Sequence, residues 1–402
     1  MGTDMGDGSG LSAAGLARMR GVLEATVARG EVSGLVALVH RRGETHAVTA
    51  GHMSVGGAPM RRDAIFRIAS LTKLVTAVAA LTLVEECRLR LDDPIDELVP
   101  EMAGMRVLRD PDAALDDTVP AERPITVRDL LTFRLGTGGV WADSPIQRAI
   151  TDAGLGPGAD GPAGMDGDEW IKRLGALPLV HQPGTRWMYN TGSDVLGVLI
   201  ARATGRPLGE VYRERIFAPL GMAGTGFQVP SADLARMPVS YEPGAAPGEL
   251  SVRREPHVPW DRAPGFVSGA GGRGLAATAD DYLAFCRMLL NRGRYPGGRI
   301  LARPTVAAMT TDQLTAEQKS GNEMFFGPGG GWGFGLAVTG RRDDVHASPG
   351  RYGWTGGLGT LAFADPAEEM ITILFTQTAM TSPKPPRVFT DFLTSAYAAI
   401  DD

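Results

Sequence analysis

Ser70 and Lys73 stand three residues apart at the head of an apolar run, Leu74-Val75-Thr76-Ala77-Val78-Ala79-Ala80-Leu81. The run predicts a helix buried on most sides. Residues i and i+3 share a helix face, so the Lys73 ammonium is expected beside the Ser70 hydroxyl. A hydroxyl beside an amine that can release its proton is a nucleophile beside a base. A lysine inside such a helix is costly unless it is paired or neutral. Only four of the 40 basic residues are lysines, Lys73, Lys172, Lys319 and Lys384. The chain otherwise uses arginine, which cannot act as a base. The competing reading makes Ser70 a helix cap and lets Lys73 reach the surface with its charge.

Other nucleophile and metal patterns are missing. No serine lies in a Gly-x-Ser-x-Gly elbow, and no His/Glu spacing resembles a zinc site. None of the six histidines has a context that singles it out; His181 and His346 precede glycine-containing turns and read as structural. Asp110, Asp112, Asp116 and Asp117 lack calcium-loop spacing and read as a solvated loop. Lys73 and a tyrosine are then the candidate bases. Tyr189 ends a loop just before a helix, in Pro183-Gly184-Thr185-Arg186-Trp187-Met188-Tyr189-Asn190-Thr191-Gly192-Ser193-Asp194. Its alternative role is a packing aromatic with a hydrogen-bonded tip.

The elements that must position these groups fall in three stretches. A helix over 11–28 is followed by strands over 34–40 and 45–50, a short extended piece at 64–68 and the buried helix. From about 95 to 270 strand-like alternation is scarce, and helical patches at 125–134, 168–175, 192–204 and 208–217 are separated by loops. One of these, 136–167, is long and contains Trp141; loops of that length often border or cover a pocket. Beyond 271 come helices at 279–291 and around 305–309, strands at 332–340, 358–364 and 370–376, and a helix at 388–398. The expected architecture is α/β of the α+β type. Residues 1–95 and 271–402 form a mixed lobe with an antiparallel sheet, residues 96–270 a mainly helical lobe, with a cleft between them.

With 402 residues, a net charge of −6 without basic blocks and 43% hydrophobic content, the chain suits a soluble globular protein and not a nucleic-acid partner. No run spans a membrane, and the acidic, glycine-rich start lacks a signal-peptide pattern, so a cytoplasmic protein is expected. Two cysteines, Cys87 and Cys286, are too few for a disulfide framework. Cys87 is expected to be a packed thiol.

The segment Ser70-Leu71-Thr72-Lys73, the Trp187-x-Tyr189-Asn190-x-Gly192-x-Asp194 stretch and Gly353-Trp354-Thr355-Gly356-Gly357, in this order, resemble the serine β-lactamase and penicillin-binding-protein superfamily. The branch the chain looks most like is the class C-like family VIII carboxylesterases. Framework stretches such as Leu91-Asp92-Asp93-Pro94 and Phe217-Ala218-Pro219-Leu220-Gly221 agree, so the resemblance covers about residues 15–400. It implies that Ser70 is acylated, that Lys73 and Tyr189 share the proton transfers, and that the backbone N–H groups of Ser70 and Gly357 form the oxyanion hole. It implies no cofactor and no metal. The substrate-binding positions expected are Trp354, Thr355, Gly356, Asn190 and, from the long loop, Trp141.

Two departures narrow the expected chemistry. The lactamases and transpeptidases carry Lys-Thr-Gly where this chain has Trp354-Thr355-Gly356, and their second-motif asparagine is two places after the tyrosine, where this chain has Thr191. The expectation is a serine carboxylesterase acting on a small-molecule ester. The rivals are acyl transfer from the same intermediate, β-lactamase or D-amino peptidase activity, and a non-catalytic binding protein on this fold. Oligomeric state is open.

Overall fold

β1 (Gly34–Arg41) is buried along its whole length, which explains its unbroken run of Leu35, Val36, Ala37, Leu38 and Val39. Val36 and Leu38 face the main core, whereas Leu35, Ala37 and Val39 face a second, smaller core. β1 forms a hairpin with β2 (Glu44–Gly51) and pairs on its other side with a strand from the far end of the chain. The structure is a computed structural model and describes residues 8–156, 165–255 and 271–402. Expectations for residues 1–7, 157–164 and 256–270 lie outside the described residues.

The sheet has seven antiparallel strands. After β1 and β2 come β3 (Gly330–Trp332), β4 (Ala337–Thr339), β5 (Tyr352–Gly356), β6 (Thr360–Asp365) and β7 (Met370–Thr376), in spatial order β3-β4-β5-β6-β7-β1-β2. The single strand expected at 332–340 is therefore a hairpin of two short strands. Helices cover both faces. On the outer face lie α1 (Ala13–Ala28) and the C-terminal helix Arg387–Tyr397, sharing the smaller core.

α2 (Thr72–Glu85) lies in the main core on the other side of the sheet, buried from Thr72 to Leu83. Its all-round apolar sequence follows from having protein on every side. Between α2 and the late strands come α3 (Val127–Leu131), α4 (Pro145–Asp152), α5 (Gly167–Gly175), α6 (Thr191–Thr204) and α7 (Ala279–Leu290). The C-terminal helix is α8. α4 lies within the stretch expected to be loop. The middle of the chain also holds two short hairpins, Arg106–Leu108 with Thr118–Pro120 and Ser240–Pro243 with Leu250–Arg254. Cys87, expected to be packed, is exposed just past α2, with a positive φ of 56°. No helix among the described residues is long and apolar enough to cross a membrane.

Candidate active site

Ser70 does not cap α2. It sits in a 3-10 turn, Ala69–Leu71, ahead of the helix, and Leu71 occupies the cap position without a side-chain cap bond. Ala69 has φ of 46°, a left-handed conformation that costs an L residue about 1–2 kcal/mol. Neighbours hold the turn in place. The Ile68 N–H donates to Leu275 O at 2.9 Å, Tyr282 Oη to Leu71 O at 2.9 Å and Thr360 Oγ1 to Ile68 O at 3.1 Å. A Cβ on Gly356 would meet Thr360 Oγ1 at 2.2 Å and Ile68 O at 2.4 Å. Gly356, among the expected substrate-binding positions, is the glycine that lets β5 close on the Ser70 turn.

Lys73 is fully buried. Its Nζ lies 3.1 Å from Ser70 Oγ, 2.8 Å from Asn190 Oδ1 and 2.6 Å from Gly272 O. Burial pushes its pKa down to about 7; the Asp194 carboxylate opposes this and the Arg273 guanidinium reinforces it. A neutral amine has two N–H groups and one lone pair. The amide oxygen and the carbonyl accept the two N–H groups, leaving the lone pair for the Ser70 hydroxyl.

Tyr189 lies across Lys73, with Nζ 4.9 Å from its ring centre. Its ring stacks on Phe325 at 5.2 Å and meets Trp354 at 5.6 Å and Trp187 at 5.8 Å, an aromatic cage that fixes its direction. Trp354 Nε1 donates to its hydroxyl at 2.7 Å. Burial raises the Tyr189 pKa to about 12, against the Ser70 and Trp354 hydrogen bonds that favour the anion.

Asn190 has φ of 86°, outside the usual range for a residue with a side chain, and directly precedes α6. Expected as a substrate contact, it uses its amide on protein groups: Oδ1 accepts from Lys73, and Nδ2 donates to Asp194 Oδ2 at 3.3 Å. Asp194 and Arg273 were not singled out from sequence, yet they anchor the site. Asp194 Oδ2 accepts from Arg273 Nη2 at 2.8 Å, and Asp194 Oδ1 accepts from the Gly272 N–H at 2.9 Å. Both side chains are buried. One carboxylate thus orients both acceptors of Lys73. Asp194 lies in the Tyr189 segment, but 79 residues separate it from Arg273, and no local signal links them.

A cavity of about 830 Å³ opens over Ser70. Tyr189, Asn190, Trp354, Thr355, Gly357 and, from the long loop, Trp141 line it. A Cβ on Gly357 would meet nothing, which places its backbone beside open space. Among the described residues no cluster of His, Cys, Asp and Glu could hold a metal ion.

This architecture defines an enzyme of the serine-hydrolase class on a β-lactamase fold. Residues 19–390 match the Beta-lactamase family, and the chain belongs to that family. It is similar to Esterase EstB of Burkholderia gladioli, 32% identical over 391 residues and covering 92% of each chain. It is also similar to an uncharacterized protein of Mycobacterium tuberculosis, 39% identical over 360 residues, 87% of this chain and 86% of the relative. Among solved structures, EstCE1, described as a hydrolase with promiscuous acyltransferase activity, superposes with a TM-score of 0.77 at 25% identity, covering 97% of this chain and 99% of its own.

Proposed function

We propose that this protein is a carboxylesterase that works through an acyl-enzyme on Ser70. The observation that carries the reading is the Lys73 amine, buried 3.1 Å from Ser70 Oγ and titrating near 7. Neutral Lys73 takes the Ser70 proton as Oγ attacks the ester carbonyl carbon. The Ser70 and Gly357 N–H groups hold the resulting oxyanion. Tyr189 keeps its proton at neutral pH and gives it to the departing alkoxide, and the Lys73 ammonium restores it. Water then attacks the acyl carbon with Lys73 again as base. As the bond from Ser70 Oγ to the acyl carbon breaks, the Lys73 ammonium returns the proton to Oγ, releasing the acid and freeing Ser70. Lys73 and Tyr189 thus divide the roles of base and acid by their opposite pKa shifts.

Interception of the acyl-enzyme by an alcohol is the second reading. It is supported by a cavity large enough for more than one small reactant and by the acyl transfer described for EstCE1. Trapping with a p-nitrophenyl alkylphosphonate, followed by peptide mass spectrometry, tests the mechanism. A single adduct on Ser70 is expected, with turnover of p-nitrophenyl butyrate lost in parallel. An adduct elsewhere, or esterase activity in Ser70→Ala, would remove Ser70 from it.

A further inference from the structure

The cavity over Ser70 continues beyond the catalytic groups. Past Gly357 and Leu358 it runs along Leu361 and Phe363 of β6, under the 379–385 segment and beside Phe389 and Leu393 of α8. These residues belong to the outer face of the sheet. α1 packs on β2 and α8 on β7, so Phe363 is only partly covered. The arm's walls are mainly apolar, with Thr381, Ser382 and Thr390 among them, and it ends at a charge.

That charge is Arg351, which lines the cavity just ahead of β5 and is only 5% exposed. Its guanidinium lies 4.0 Å from the Phe363 ring centre, and Nη1 donates to His346 O at 2.6 Å. Nε is buried without a hydrogen-bond partner. Among the described residues no carboxylate forms an ion pair with it. Asp365 is the buried acid in its surroundings, but its oxygens already accept from the Tyr397 hydroxyl at 2.7 Å and from the Ala367 and Glu368 N–H groups. Asp343 and Asp344 stay exposed at the rim, with Asp344 near His346 at 3.5 Å. A buried guanidinium without a carboxylate is an expensive feature in a folded chain. Arginine's planar fork is suited to holding one.

We propose that this arm is an acyl subsite whose far end binds a carboxylate, so that the substrates are esters with a long apolar acyl chain ending in an anionic group that reaches Arg351. The inference rests on the esterase reading above. The guanidinium sits over Phe363, which pairs with Gly353, four residue steps of extended chain from Gly357, a span of roughly 13 Å. A short acyl group cannot cover that distance; a long one can, with its methylenes against Phe363 and Leu393.

Two p-nitrophenyl esters of equal chain length test it, one ending in a methyl group and one in a carboxylate, with the butyrate as reference. The carboxylate-ended ester is expected to exceed its partner by about 10-fold or more in kcat/KM, the gain of one hydrogen bond to a charged group. Arg351→Met should abolish that preference and leave butyrate turnover unchanged. Because Arg351 is buried, Thr390→Trp serves as a second variant: Thr390 lies on the exposed side of α8 and lines the arm. It should slow the long esters and spare the butyrate. Equal rates for the two long esters, with butyrate still cleaved, would overturn the subsite and leave the esterase reading intact. If no ester is cleaved, calorimetric titration with a long-chain α,ω-dicarboxylic acid decides separately. Binding that is lost in Arg351→Met supports the subsite, and absence of binding to the wild type overturns it.

Discussion

Trp354 Nε1–H donates to Tyr189 Oη at 2.7 Å, so the tryptophan that replaces the lactamase lysine serves the tyrosine directly. The sequence reading places Trp354 among the substrate-binding positions. In the fold it is largely buried in the aromatic cage, and its one donor is engaged. The bond favours charge on the tyrosine oxygen, which the proposed proton transfer from Tyr189 requires.

Trp354→Phe keeps an aromatic ring and removes that donor. It should lower kcat by about 10-fold or more, the worth of a hydrogen bond to a developing charge, with KM little changed. Steady-state kinetics on p-nitrophenyl butyrate check this. An unchanged kcat would reduce Trp354 to packing.

The Lys73 shift fixes a pH dependence. Its pKa falls from 10.5 to about 7 in the folded protein, so kcat/KM for a neutral ester should rise with pH through about 7. Stability has the same sign. Between about 7 and 10.5 the unfolded chain binds more protons at this lysine than the folded one. The Lys73 contribution to stability is therefore fully present above 10.5 and is lost as pH falls through 7. Lys73→Arg should lower turnover by at least about 10²-fold, because a guanidinium stays charged. A flat rate profile from pH 6 to 8 would contradict the assignment of Lys73 as base.

Asp194 acts on Lys73 through two neutral groups, Asn190 and Gly272. Its charge raises the lysine pKa, so Asp194→Asn should move the rising limb of the rate profile to lower pH. The variant also breaks a buried ion pair, a loss of about 3–5 kcal/mol when one partner is removed. Denaturant unfolding and the pH profile together separate the effects. A stability loss without a shifted limb would make Asp194 structural only.

What could be read in the sequence was what is local. Ser70 and Lys73 are one helical turn apart, and their contact follows from spacing alone. β1 and β7 announce themselves because both faces of each are buried, which demands continuous apolar residues. β5 does not, because glycine stands at two of its five positions, Gly353 and Gly356. α4 offered a signal in Ser144, which caps it, followed by Pro145 at its first turn. Only Ile146 and Ile150 mark its buried face, too few to stand out in a polar stretch. The inward turn of Asn190 and the pairing of Asp194 with Arg273 depend on tertiary contacts that no periodicity records.

The same geometry predicts a preference for esters over β-lactams. A lactam presents a carboxylate, and lactamases and transpeptidases meet it from the third motif with a lysine that this chain lacks. Trp354 cannot substitute, since its single N–H is held by Tyr189. Asn190 has its amide turned inward, between Lys73 and Asp194. The lost contact to a charged group corresponds to about 1.5–3 kcal/mol, or roughly 10- to 150-fold in kcat/KM. Cleavage of p-nitrophenyl butyrate should exceed that of a chromogenic cephalosporin by at least this lower factor. Trp354→Lys should narrow the gap from both sides, weakening the Tyr189 contact that esters use and restoring a cation for the lactam. A cephalosporin rate equal to or above the ester rate in the wild type would overturn the carboxylesterase assignment and return the site to lactam chemistry.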